Sequence, residues 1–444
     1  MCQAIEDIKA EGHAEVVFEI LHGLVEDGLI STEEAAKRAG VSVEEFLQTA
    51  AKLAVRRYRQ GAEAGDSSAM FNLGICYQKG EGVEQNLEEA IKWRRRAAEA
   101  GNLSAMRNLG DCYREGEGVE KNLEEAVKWR RRAAEAGDSS AMQRLGACYK
   151  YGEGVEQNLK EAVNWYRRAA EAGDPSAMFS LGNCYHNGEG VEKNLEEAVE
   201  WYRQAAEKGN SSAVCSLGFC YRYGEGVEQN LEEAFKWFRR AAEEGDSYAM
   251  WLLGVCFRYG EGVWRNLEEA VKWFRRAAEA GDSDAMWRLG VCYEDGKGVE
   301  RDLEEAVKWY RYAADAGNSS AMCNLGDCYK YGLGDKHSSE EAVKWYRQAA
   351  DAGNSVAMCN LGYCYKMGEG VEQNLKEAFK WYRQGAESGN SVAMCNLGAC
   401  YENGEGVERN LEEATKWYRQ SAANGVGMAI VALKRLEKKA DVCR

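Results

Sequence analysis

The sequence is poor in the residues that would break it into unlike pieces. A single proline, Pro175, stands among 444 residues, so proline-rich linkers are excluded. Histidine occurs four times, at His13, His22, His186 and His337, in four separate places. No CxxC, HExxH, GxSxG or phosphate-loop signature accompanies them. Nucleophilic, metal-assisted and phosphoryl chemistry therefore has no visible seat; no catalytic residue, metal, cofactor or small-molecule substrate is expected. No apolar run reaches the 18 residues of a membrane-spanning helix. Glu6, Asp7, Glu11, Glu15 and Glu19 interrupt the N-terminus where a signal peptide needs a basic start and an apolar core. The expected location is cytoplasmic, with no membrane contact. Positive charge is also short: 57 Lys/Arg stand against 73 Asp/Glu, a net −16, and the first 50 residues hold three against eleven. An acidic body repels phosphate backbones, so nucleic-acid binding is not expected.

What the chain does have is repetition. A 36-residue unit, first complete from Asp66 to Gly101, recurs ten times without insertion or deletion, its Leu-Gly pair starting at Leu73 and ending at Leu397. A strict period of this length denotes a solenoid or array. Within the unit, Ala69, Met70, Leu73, Cys76 and Tyr77 form one helical stripe, helix A. Leu87, Ala90, Ile91, Trp93, Arg94, Ala97 and Ala98 form a broader arc, helix B, and the Arg94 position is Tyr or Phe in eight of the ten copies. Glu88, Lys92, Arg95, Arg96 and Glu99 lie opposite and are expected to face water. Asp66 reads as the N-cap of helix A, and Asn86 with Glu89 as a capping box for helix B. Gly80 and Gly101 stand where left-handed residues would end the helices, and Pro175 falls at the first position of a helix A, where its missing N–H does no harm. Gly74 sits inside helix A at a cost of about 1 kcal/mol. Its recurrence predicts close approach of a neighbouring helix backbone.

Sixteen cysteines invite a disulfide reading, but their spacing opposes it. Ten fall once per repeat, from Cys76 to Cys400, on the buried stripe. Stacked helices lie about 8–10 Å apart, too far for equivalent cysteines to bridge. Cys215, Cys323, Cys359 and Cys395 precede a stripe cysteine by five residues and diverge from it around the helix. With Cys2 and Cys443 at the ends, they are expected to be free thiols in a reducing compartment.

The pattern carried by Ala69, Leu73, Gly74, Tyr77, Gly80, Gly82, Ala90, Trp93, Ala97, Ala98 and Gly101 resembles the Sel1-like repeat family, a relative of the tetratricopeptide repeats. The resemblance implies an all-α fold, a right-handed α/α superhelix whose A helices line a concave face, and a role as scaffold or adaptor for other proteins. Some secreted members carry an intra-repeat disulfide and a signal peptide, which this chain does not reproduce.

The expected layout is an acidic helical module over 1–50, an orphan helix B over 51–65, ten repeats over 66–425 and a capping helix over 426–444. In the first module two short helices are expected around Gly40, capped by Ser31 or Thr32 and by Ser42 with Glu45. Ala36, Gly40 and Val41 have helix-turn-helix spacing, so a DNA-linked regulator with the solenoid as sensor is the alternative function. Glu44 and Glu45 oppose it by facing phosphates. In the eighth repeat Asp335 and Ser339 replace two apolar loop residues, which predicts a weak loop.

Function is sought in what varies between copies. Counted from the repeat leucine, positions −5, −2, −1, +2, +5 and +6 form a second stripe on helix A. In the related tetratricopeptide repeats the matching positions touch the bound peptide. Here the stripe carries Phe219, Tyr223, Tyr248, Trp251, Tyr259 and Trp287 in repeats five to seven, typical of interface anchors. In repeats one to six its basic members include Arg107, Arg114, Arg144, Lys150, Arg222 and Arg258. These twelve residues are the candidate partner-binding positions. The expected partner is a protein or peptide segment, acidic toward one end and bearing apolar anchors at the other.

Overall fold

The computed structural model describes residues 14–334 and 336–442. The expectations placed on Cys2, His13, Asp335 and Cys443 lie outside these residues. Among the described residues there are 24 helices and no strand. Three come first, α1 (Ala14–Glu26), α2 (Thr32–Ala39) and α3 (Val43–Glu63). Ten helix A and helix B pairs follow, from Ser67–Lys79 and Leu87–Glu99 to Ser391–Asn403 and Leu411–Ala423, and Gly427–Val442 ends the chain. The architecture is an α-solenoid of repeated helix pairs.

All twenty repeat helices are 13 residues long, and the caps explain the uniformity. The Asp66 side chain accepts from the Ser68 N–H, and Gly80 closes helix A with φ 75°. The Asn86 side chain accepts from the Glu89 N–H at 3.0 Å. Gly101 follows helix B with φ 89°. Pro175 opens its helix behind the N-cap Asp174. The capping box, however, is only half made. The Asn86 N–H donates instead to the Tyr77 carbonyl at 2.8 Å, which ties the start of helix B to the end of helix A. The Glu89 carboxylate is thereby released to Lys92 at 2.6 Å.

The recurrent glycine of helix A is a seat for a ring. A Cβ on Gly182 would stand 2.6 Å from Tyr202 Cε1 and 3.2 Å from the Ala198 carbonyl oxygen of the paired helix B. The expected backbone approach is therefore present, but the aromatic side chain sits closer still. In repeats one and two that ring is replaced by Arg94 and Arg130, which are 1% and 3% exposed. The loop glycine Gly154 has a different reason: its Cβ would lie 2.2 Å from the Leu123 carbonyl oxygen at the start of the previous helix B.

At the N-terminus, α2 is short, with Ser31 as its cap and Gly40 in the left-handed region. The second expected short helix does not stop: α3 runs 21 residues, because no breaker separates its Ser42-capped start from the helix B-like segment. Val17, Leu21, Ala35, Ala36 and Phe46 form the core of α1 to α3, with the Phe18 and Phe46 rings 5.5 Å apart.

The chain divides into two compact units within repeat five, the first up to Ala213 with residues 225–227, the second holding residues 214–224 and everything from Glu228 on.

Candidate partner-binding face

In the first unit the basic stripe residues are engaged internally. Arg107 lies 3.5 Å from the N-cap Asp138, and Arg114 2.6 Å from Glu115. Arg144 and the buried Arg130 share the Asp111 carboxylate. Arg130 also donates to Cys148 Sγ at 3.1 Å, as Arg94 does to Cys112 Sγ at 3.3 Å. Lys150 reaches Glu189 at 2.6 Å.

That last pair belongs to a pattern with a fixed offset. The residue at position +5 of one helix A meets the residue 39 further on, in the loop of the next repeat, normally glutamate. The rung is closed between Gln78 and Glu117, Lys150 and Glu189, and His186 and Glu225 in the first unit. In the second it is closed between Arg222 and Glu261 at 2.7 Å, Lys330 and Glu369 at 3.2 Å, and Lys366 and Glu405 at 2.6 Å. A second set of ties runs from helix B to the next helix A: Arg59, Arg167 and Arg311 donate to the hydroxyls of Tyr77, Tyr185 and Tyr329 at 3.0, 3.0 and 2.7 Å. Arg95, expected to face water, is exposed and makes the same bond to Tyr113.

Position +2 is likewise answered within its own repeat. The Tyr202 hydroxyl donates to Asn183 at 2.7 Å and that of Tyr346 to Asp327 at 2.6 Å. Phe219 meets Phe238 edge-on at 5.3 Å. Burial raises the Asp327 carboxyl above its ordinary value, against the opposing Tyr346 hydrogen bond.

Four aromatic stripe residues of the second unit form a connected surface. Phe219 lies 6.2 Å from both Tyr223 and Tyr248, and Tyr248 stacks on Trp251 at 5.5 Å and 15°. Tyr223 and Tyr259 are each 61% exposed and Tyr248 46%, so their rings are presented to solvent. Trp251 and Trp287 are partly buried; each packs on the core formed by its own repeat's helix B and the next helix A, and each indole N–H is covered without an acceptor. Arg288 stacks over Trp287 at 4.3 Å. Arg258 has only the Tyr259 ring, at 5.6 Å, and makes no ion pair among the described residues. Trp264, on the loop and off the stripe, is 93% exposed.

The fourteen described cysteines are buried and free. Burial pushes the Cys184, Cys364 and Cys400 thiols up to about 11, and Cys215, Cys256 and Cys323 up to about 12. Among the described residues no group of three or more His, Cys, Asp or Glu is placed to hold a metal, and no helix is long and apolar enough to cross a membrane.

Arg94 is buried on the helix B arc where the sequence placed it, but its bond to Cys112 Sγ and the rungs were not anticipated from one repeat at a time. Comparing position +5 with the loop residue 39 positions later would have found the rungs, since a basic side chain faces a glutamate in most copies.

The chain belongs to the Sel1 repeat family, whose model matches ten times in succession, from 67–102 through to 391–426. A protective antigen of uropathogenic Escherichia coli displaying an SLR fold is 33% identical; the match covers 87% of this chain and 90% of that one, with a TM-score of 0.60. A Sel1 repeat protein from Oxalobacter formigenes is 34% identical over 68% of this chain and 88% of its own, with a TM-score of 0.59. The DAP3-binding cell death enhancer 1 of Rattus norvegicus is 54% identical over only 39 residues, 9% of this chain and 8% of that protein. Repeat solenoids of this kind generally mediate protein–protein interaction.

Proposed function

We propose that the protein is a non-catalytic scaffold that binds a segment of a partner protein on the helix A stripe of repeats five to seven. The observation that carries this reading is the joined aromatic surface of Phe219, Tyr223, Tyr248 and Trp251, with two of its rings about half exposed or more. Stacked rings present large area at little entropic cost, and such anchors dominate interface energies. Trp251 and Trp287 supply fixed edges of the patch because their far sides are already packed. The partner segment brings apolar anchors to these rings and acidic residues toward the basic positions. Arg107, Arg114, Arg144, Lys150 and Arg222 already hold carboxylates, so their contribution is to register and encounter rate rather than net attraction. The buried free thiols fit a reducing, cytoplasmic setting.

The test is affinity capture from native lysate with mass spectrometry, comparing wild type with the Trp251→Ala, Trp287→Ala double variant. Truncation of an anchor commonly costs 2 kcal/mol or more, about thirtyfold in affinity. The double variant is expected to lose the partner while keeping its helical circular dichroism. Capture of the same proteins by both forms would move the binding surface elsewhere.

A further inference from the structure

The offset-39 pattern fails at one place in a way that leaves positive charge unanswered. Where Arg222, Lys330 and Lys366 each meet a loop glutamate, the partner position of Arg258 is Lys297. Both line one recess of about 280 Å³, together with Tyr259, Arg265 and Leu267. Two sequence departures converge there. The position of Lys297 is glutamate in eight of the ten repeats, and so is that of Trp264, next to Arg265. Two negative charges present elsewhere are thus missing, one in the recess itself and one beside Arg265, which lines it.

What remains nearby does not restore the balance. Lys297 has only Asp295, two residues back on its own helix end, in a pair whose side chains are 53% and 39% exposed; such a pair contributes little. Arg265 donates its Nε to the Arg258 carbonyl at 3.1 Å, which places a third cation over the recess. Arg288 is held below its ordinary value, by burial first and by the charge of Arg258 second.

We infer that this recess takes a carboxylate side chain of an acidic partner segment, which replaces from outside the glutamate that closes the other rungs. The fit is in charge and in position: each closed rung shows a carboxylate meeting the +5 side chain. Exposed Tyr259 lines the recess and gives apolar surface for the residues beside that carboxylate. The inference rests on the reading of the chain as a binder of a partner segment, and gives that segment its acidic anchor point.

The experiment is a fluorescence anisotropy titration of the full chain with a fluorescein-labelled hexaglutamate peptide at low ionic strength. The protein's net charge of −16 opposes non-specific attraction, so binding reports a local site. Lys297→Glu rebuilds the internal rung and is expected to fold, as eight repeats with glutamate there do. It should weaken peptide binding at least tenfold, and Arg258→Gln should do the same without adding an acid. Trp251→Ala with Trp287→Ala should leave peptide binding in place, so a failure of the aromatic patch is read separately from a failure of this recess. Equal binding by wild type and Lys297→Glu overturns the inference, as does no binding by wild type. Full displacement of the peptide by an equal concentration of inorganic phosphate also overturns it, by identifying a small-anion site instead.

Discussion

At the scale of single residues, the helix A glycines show how one position can be optimal and intolerant at once. Glycine inside a helix costs about 1 kcal/mol relative to alanine, and at Gly182 the Tyr202 ring occupies the space a methyl would need. Gly182→Ala is expected to lower stability by about 1–3 kcal/mol through overpacking. Gly23, inside α1 with nothing within 4 Å of its would-be Cβ, is the control. Gly23→Ala should raise stability by up to about 1 kcal/mol. Urea denaturation of both variants checks the pair, and the same sign in both would show that propensity, not the ring, decides. The thiols give a second expectation. Burial holds seven of them at about 11 or 12, so the thiolate is scarce at pH 8 and the sulfur is covered. A disulfide-exchange reagent should titrate few groups in the native protein and nearly all sixteen after denaturation without reductant. Stoichiometric disulfides would end the reducing-compartment reading.

At the scale of helices and loops, the rungs convert variable positions into ties between neighbouring repeats. His186 makes one of them conditional on pH. Its side chain contacts Asn187 and, 3.0 Å away, Glu225. The Asn187 hydrogen bond raises its pKa first, burial opposes, and the Glu225 hydrogen bond and charge raise it further. A histidine raised in the folded state contributes stability below its ordinary value of 6.5, and loses it as pH rises through the folded value. The stability difference between wild type and His186→Gln should reach about 1 kcal/mol at pH 5.5 and vanish at pH 8.5. A difference independent of pH would mean the rung is not an ion pair. The caps, the helix lengths and the seat of Pro175 were legible in sequence because they depend on residues within one repeat. The rungs depend on residues 39 apart in different copies, and a reading of each copy alone counts Lys150 or Arg222 as free charge. The half-made capping box was hidden for another reason: the Tyr77 carbonyl that takes the Asn86 N–H lies in the same copy but on the other helix of the pair, a contact that only packing reveals. Likewise, variation at position +2 reads as recognition until Asn183 and Asp327 are found holding tyrosine hydroxyls.

At the scale of the whole molecule, repeats stacked on their neighbours make stability approximately a local sum, so a loss in one repeat is felt chiefly there. The last helix, Gly427–Val442, buries Ala429 and Ala432 beside Tyr418 and Cys395. Among the described residues its ionic tie is to the +5 residue of repeat ten. Arg435 stands 2.8 and 2.7 Å from the two oxygens of Glu402, and the Tyr418 hydroxyl donates to the same carboxylate at 3.0 Å. Glu402 is 8% exposed, so removing Arg435 leaves a covered charge with a phenol as its partner. A fully buried pair broken this way costs about 3–5 kcal/mol. The Arg435 side chain is 56% exposed, and solvent screening brings the expected cost of Arg435→Ala to about 1–2 kcal/mol. In an array that loss should stay where it arises. Hydrogen exchange of Arg435→Ala is expected to speed up in repeat ten and the last helix, while repeats one to four keep their protection. Adding Glu402→Gln removes the stranded charge but keeps an acceptor for Tyr418, and should recover most of the loss. Uniform deprotection along the chain would instead show that the solenoid unfolds as one cooperative body.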